Sequence, residues 1–130
     1  MRVKNTKTCE NREDGFVVTC REYDFDLVKP ISFEEFHEYS LKAVDEKFGY
    51  NMVLQDNIVG FADNKESILD FVGILTLDES HTKITVAYAR IRTEEEFAEE
   101  NTEDNPADSD AEIDYRKIVV PLSWAFSKYI

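Results

Sequence analysis

The clearest alternation between large apolar side chains and small or polar ones lies at residues 84–89, within the stretch 83–92. A period of two places alternate side chains on opposite faces of a β-strand. Residues 73–77 are also apolar, and residues 78–81 between the two stretches have the polar composition of a turn. Together these stretches predict a β-hairpin.

A second hairpin is predicted at the start of the chain. Residues 15–23 are rich in types that suit a pleated surface, and Asp14-Gly15 provides the positive φ angles of a tight turn. Such a turn places Cys9 directly opposite Cys20, with their Cα atoms within disulfide range. Because the first residues do not resemble a secretory signal, we expect a cytoplasmic, reducing compartment and two free thiols. A disulfide is the alternative.

Residues 32–48 have the pattern of an amphipathic helix. Apolar residues recur at helical spacing at Phe33, Phe36, Val44 and Phe48. Ser32 and Glu35 have the spacing of a capping box at its start, and Gly49 is a typical residue for its end. These signals predict one long helix.

The other segments give weaker signals. Residues 50–61 predict one bent strand or two short strands around a turn at 55–57. A short helix is predicted from Asp63 or Asn64 through Val72.

The last third of the chain starts with a second capping box, formed by Thr93 and Glu96, which predicts another short helix through Phe97. A strand is predicted over residues 115–120. Residues 122–130 fit either a helical or a strand period, so the pattern leaves this tail open.

These elements predict one α+β domain over residues 1–130. Its core is a mixed, largely antiparallel sheet packed by one long helix and one or two short helices, with an acidic loop near the C-terminus. The apolar runs are too short to cross a bilayer, which needs about 20 residues.

Negative charge dominates the composition, with 28 acids against 15 bases and a formal net charge of −13. Eleven of the acids lie within residues 94–114, where no Lys or Arg occurs, and the remaining 109 residues carry 17 acids and 15 bases. Almost all of the excess charge belongs to this stretch, which we call the acidic segment. The balance argues against direct binding to nucleic acid or an anionic membrane and favours a basic partner.

The acidic segment is predicted to be a short helix followed by a flexible loop. In an extended chain the acids at positions 108, 110, 112 and 114 would lie on one side, about 6.6 Å apart. This spacing is comparable to that of phosphates along one DNA strand, so a basic cleft for DNA or RNA would accept such a row. The predicted partner-binding residues are Glu99, Glu100, Glu103, Asp104, Asp108, Asp110, Glu112, Asp114, Tyr115 and Trp124.

Two further hypotheses stay open. The first is a structural or assembly subunit whose acidic loop only provides solubility, with the sheet edges or the C-terminal tail as its contact surface. The second is a small metal-dependent enzyme built on scattered carboxylates. A calcium loop is disfavoured, because Ile113 stands where the loop requires Gly and Val119 where it requires a bidentate Glu.

Catalytic motifs are missing from the sequence. Its four glycines are too widely spaced for a P-loop, a dinucleotide-binding turn or a nucleophile elbow. Cys9 and Cys20 lack the spacing of zinc ligands, and Leu41 replaces the second histidine of a zinc-protease helix. We expect no enzyme activity, cofactor or metal. Solvation alone is the simplest interpretation of the acidic segment. Among the hypotheses that give the segment a role, the leading one is a binding or inhibitor protein for a basic nucleic-acid-handling partner such as a nuclease, of the anti-restriction, anti-CRISPR or nuclease-immunity type.

Overall fold

A computed structural model describes residues 3–48, 51–63, 71–100 and 119–130. Within these ranges, six strands pair into one sheet. The strands are β1 Val3–Glu13, β2 Phe16–Asp26, β3 Asn51–Gln55, β4 Ile58–Asp63, β5 Phe71–Leu77 and β6 Lys83–Thr93. The helices are α1 Phe33–Phe48, α2 Glu94–Glu100 and α3 Val120–Ala125, followed by a 3-10 turn at Ser127–Tyr129.

All strand pairs of this sheet are antiparallel, in the order β1-β2-β6-β5-β4-β3. The two strands of 11 residues, β2 and β6, lie next to each other and pair along their whole length. The α+β character and the antiparallel pairing agree with the sequence prediction. The sheet dominates the described part of the fold, and its pairing is antiparallel where a mixed arrangement was predicted.

The predicted N-terminal hairpin is confirmed. Asp14 and Gly15 join β1 to β2 with φ angles of 53° and 82°, as a two-residue turn of this type requires. The turn sets a register in which Cys9 faces Cys20, with a Cα–Cα distance of 5.0 Å. The two residues form a disulfide bond, so the expectation of two free thiols is wrong.

One face of the sheet, which we call the inner face, carries the hydrophobic core. Alternate residues of β2 and β6 are buried there, as the period of two requires. Phe126, after α3, is fully buried and contacts Phe25 of β2 as well as Phe36 and Tyr39 of α1, with ring centroids 5.8–6.4 Å apart. The end of the chain therefore helps to join α1 to the sheet.

The start of α1 differs in one respect from the predicted capping box. Ser32 Oγ accepts a hydrogen bond from the backbone N–H of Glu35 (3.1 Å), as expected. The carboxylate of Glu35, however, accepts a hydrogen bond from the hydroxyl of Tyr129. The backbone at Val28 also donates to the carbonyl of Tyr129 (2.7 Å). The last residues are thus held at both α1 and the end of β2.

Two predicted elements are wrong where the structure describes them. Val72, placed in a short helix, lies in β5, and residues 64–70 of that helix are outside the described ranges. Val120, placed in a strand, begins α3, and residues 115–118 are also outside them. Pro121 at the first turn suits a helix, where a missing N–H costs little. The tail that the pattern left open is helical.

Candidate functional site

Helix α2 is the described part of the acidic segment. Its predicted capping box is complete, because Glu96 N donates to Thr93 Oγ1 (3.1 Å) and Thr93 N donates to Glu96 Oε1 (3.3 Å). Phe97 is buried beneath the helix, and the guanidinium groups of Arg12 and Arg92 lie 5.2 and 5.1 Å from its ring centroid. The exposed residues of α2 are Glu94, Glu95, Glu96, Ala98 and Glu99. This surface is therefore almost entirely anionic.

Three arginines of β2 and β6 are buried, whereas Arg12, which also contacts Phe97, is exposed. Arg21, Arg90 and Arg92 lie on the inner face of β2 and β6 and are only 8, 5 and 2% exposed. Nη2 of Arg92 donates a hydrogen bond to Oγ1 of Thr19. Buried guanidinium groups require acceptors around them, so these arginines belong to the interior of the fold. The fold therefore buries Arg92 beneath α2 while it exposes the acids of that helix.

Three of the predicted partner-binding residues lie in the described elements. Glu99 is exposed on α2, and Glu100 is the last residue of that helix. Trp124 is 74% exposed on α3. Helix α2 packs on β2 and β6, whereas α3 packs on α1, so the structure does not join these residues into one patch. The others are outside the described ranges: Glu103, Asp104, Asp108, Asp110, Glu112, Asp114 and Tyr115.

The second face of the sheet, the outer face, has a feature that the sequence pattern did not predict. Val53, Val72 and Ile74 lie there and are 57, 43 and 38% exposed. In β5 apolar residues lie on both faces, with Thr76 as the one polar residue, whereas an antiparallel sheet with one face in water usually alternates apolar with polar residues. The signal was present in the sequence, since residues 71–75 contain no polar side chain.

A depression, which we call the trough, follows the middle of β6 on this face. Its floor is formed by Ala87 and Ala89. Val72 and Ile74 are the neighbours of these alanines on β5. On the β2 side, the neighbours of the two alanines are Cys20, bonded to Cys9, and Glu22. The cavity has a volume of about 510 Å³ and is lined mainly by apolar atoms.

Charged residues lie near the start of β6. Asp24 accepts a hydrogen bond from Thr85 Oγ1 (2.8 Å) and pairs with Lys83 Nζ (3.1 Å). This hydrogen-bonded contact with Asp24 raises the pKa of Lys83 above its usual value. Lys83 therefore stays charged and is committed to an intramolecular pair.

Two features are missing from the part of the chain that the structure describes. No group of three or more His, Cys, Asp and Glu side chains in these ranges is arranged to hold a metal ion. None of the helices described has the length and apolar character that a membrane crossing requires.

Relatives do not supply a function. No protein-family model matches the sequence, and comparison with curated proteins and with solved structures finds no match.

Proposed function

We propose that this protein is a non-enzymatic binding protein that inhibits a basic, nucleic-acid-handling partner such as a nuclease by occupying its nucleic-acid-binding surface. The observation that carries the proposal is the segregation of charge. The sequence concentrates 11 acids without a base in residues 94–114. In support, Glu94, Glu95, Glu96 and Glu99 are exposed, while Arg90 and Arg92, on the strand that leads into α2, are buried.

The proposed mechanism is competition for a cationic cleft. Carboxylates of the acidic segment would take the places of phosphates, and long-range attraction would accelerate the encounter. Such attraction weakens as salt shortens the Debye length, so the association rate should fall with ionic strength. The net charge of −13 makes the protein itself a poor ligand for nucleic acid.

A capture experiment tests this proposal. The immobilised full-length protein is incubated with cell lysate at low and high salt, and bound proteins are eluted with a double-stranded oligonucleotide and identified. We expect the captured proteins to be nucleic-acid-binding proteins that the oligonucleotide elutes. High salt should abolish their capture. The test variant carries Asp108→Asn, Asp110→Asn, Glu112→Gln and Asp114→Asn.

The matched control removes four exposed acids elsewhere, with Glu13→Gln, Glu34→Gln, Glu38→Gln and Glu79→Gln. Both variants change the net charge equally, so only a local effect separates them. Loss of the captured proteins in the test variant but not in the control supports mimicry. Equal capture by all three proteins overturns it.

We propose the cytoplasm as the compartment. There the bond between Cys9 and Cys20 would meet cellular thiols, which keep most cytosolic cysteines reduced. The alternative hypothesis, a structural or assembly subunit, predicts a different result. Such a subunit should self-associate, and its self-association should survive neutralisation of the acidic segment.

A further inference from the structure

We propose that the trough on the outer face is a second contact surface, which binds an amphipathic segment of a partner protein through apolar side chains and basic flanking residues. This inference goes beyond the proposed function, and it rests on that function only for the positive charge of the partner.

The apolar character of the trough points to a covering layer. A sheet buries an apolar face against another layer, and α1 and the C-terminal residues already cover the inner face. Val72 and Ile74 of the outer face stay more than a third exposed beside floor residues that are small and apolar. Exposed apolar patches bordered by polar residues are typical of interaction sites.

The shape of the trough fits a segment that lies along β6. Neighbouring strands are about 4.8 Å apart, so the side chains of β2 and β5 stand about 10 Å apart across the alanines. This is a separation of strand axes, so the gap between the side chains admits one row of apolar side chains from a helix of about 10–12 Å diameter that packs on the face. The small floor residues let such a helix approach the sheet closely.

The negative charge of the protein favours a basic segment in the trough over a second copy of the chain. Two copies of this chain would each bring a net charge of −13 into contact, which opposes a face-to-face dimer. At the α2 end of β6, Glu94 N donates to the carbonyl of Gly15 (3.0 Å), which joins the start of α2 to the hairpin turn. Four exposed acids meet there: Glu13, Asp14, Glu94 and Glu95. A segment in the trough therefore reaches an acidic end, which complements Lys or Arg.

The test uses the full chain and a short synthetic amphipathic peptide of Leu and Lys as the probe. A scrambled peptide of the same composition controls for charge, and a Leu and Glu peptide controls for apolar content. By isothermal titration calorimetry we expect the Leu and Lys peptide to bind at least about tenfold more tightly than either control.

Ala87→Gln fills the floor with a bulky polar side chain and should weaken this binding about tenfold. Thr76→Gln, on the same face of β5 but outside the trough, should leave it unchanged. Ala89→Gln repeats the test on the neighbouring floor residue if Ala87→Gln shifts the urea midpoint. Equal binding of the scrambled peptide, or equal binding by the floor variants and the wild type, overturns the inference.

Two further measurements exclude other occupants. A wild-type dimer in light scattering that Ala87→Gln dissociates would assign the trough to a second copy and overturn the inference. Displacement of the peptide by decanoate at low concentration would assign the trough to a small apolar ligand and would also overturn the inference. Peptide binding should persist when the acids at 108, 110, 112 and 114 are neutralised, so failure of the trough and failure of mimicry remain distinguishable.

Discussion

The ring of Phe61 lies over Gly73, its direct partner on the neighbouring strand of the inner face. A Cβ atom added to Gly73 would lie 2.8 Å from Cε2 and 3.1 Å from Cε1 of that ring, and closer still to Cζ. Phe61 is buried, so its ring has little room to move away. The glycine therefore allows an aromatic side chain to cover β5 from β4.

Gly73→Ala should lower the free energy of unfolding by about 1–3 kcal/mol, because it overpacks this contact. Gly60→Ala is the matched control, since a Cβ there would lie 3.8 Å from Cβ of Val53, at an ordinary distance. That control should be neutral or slightly stabilising. Urea unfolding measures both changes. Equal stability of the two variants would contradict the role of packing, and Phe61→Leu combined with Gly73→Ala should restore part of the loss.

The features that the sequence predicts correctly are set by residues close together in the chain. The Asp14-Gly15 turn and the Thr93–Glu96 capping box each need only neighbours within three positions. The predicted capping box at the start of α1 is also local, but a distant residue changes it, because the carboxylate of Glu35 accepts a hydrogen bond from Tyr129.

The features that the sequence misses depend on the rest of the fold. Val72 fits a helical pattern, yet in β5 it pairs with Ala89 on one side and Ala62 on the other. Apolar residues on both faces of β5 predict burial on both sides, but no local pattern states that the helices within the described ranges leave the outer face uncovered.

The hydrogen bond from Tyr129 to Glu35 should be visible in an alkaline titration. This bond, together with burial and the charge of Glu35, raises the pKa of Tyr129 to about 12. A raised pKa in the folded state stabilises the fold below pH 10 and loses that contribution as the pH rises from about 10 to 12. The tyrosinate absorbance of wild type minus Tyr129→Phe should therefore titrate near 12. Glu35→Gln should lower this pKa and Glu34→Gln should not; a difference spectrum that titrates near 10 would contradict the contact.

Reduction of the Cys9–Cys20 bond should destabilise the protein. The bond closes a loop of sequence separation 11, for which chain entropy predicts a loss of about 2–3 kcal/mol. The urea midpoint of the wild type should fall when dithiothreitol is added. A Cys9→Ser, Cys20→Ser variant should resemble the reduced protein and be insensitive to dithiothreitol. A wild-type midpoint that does not change on reduction would show that the hairpin turn alone maintains this edge.

Asp78 holds the turn between β5 and β6, and its contribution should depend on pH. Its carboxylate accepts hydrogen bonds from Ser80 Oγ (2.6 Å) and from the backbone N–H groups of Thr82 (2.9 Å) and Lys83 (3.0 Å). Burial alone would raise the pKa of Asp78, but these hydrogen bonds outweigh it, so the pKa is lowered. The stabilisation is then complete above about pH 4 and is lost as the pH falls through the lowered pKa.

Asp78→Ala should cost about 1–2 kcal/mol at neutral pH. The difference from wild type should shrink below about pH 4. Glu79→Gln, at the exposed neighbouring position, is the control and should show neither effect. Urea unfolding at several pH values measures the difference, and a cost that stays constant into the acid range would refute the role of the carboxylate.

Neutralising Asp108, Asp110, Glu112 and Asp114 separates a binding surface from a structural one. If these acids form a working surface, their loss should abolish capture of the partner while changing the free energy of unfolding by no more than about 0.5 kcal/mol. Relief of repulsion among like charges would even favour the folded state slightly. The four-acid control at Glu13, Glu34, Glu38 and Glu79 should match this stability and retain capture.

A large loss of stability on neutralisation would have a physical explanation. The inner face buries Arg21, Arg90 and Arg92, and buried guanidinium groups need acceptors. Removing one partner of a buried charge pair typically costs about 3–5 kcal/mol. A loss of that size in the neutralised variant, absent from the control, would mean that the acids serve the fold. The proposal that they imitate phosphates would then fail, whereas peptide binding in the trough, measured on the wild-type protein, would still stand or fall by itself.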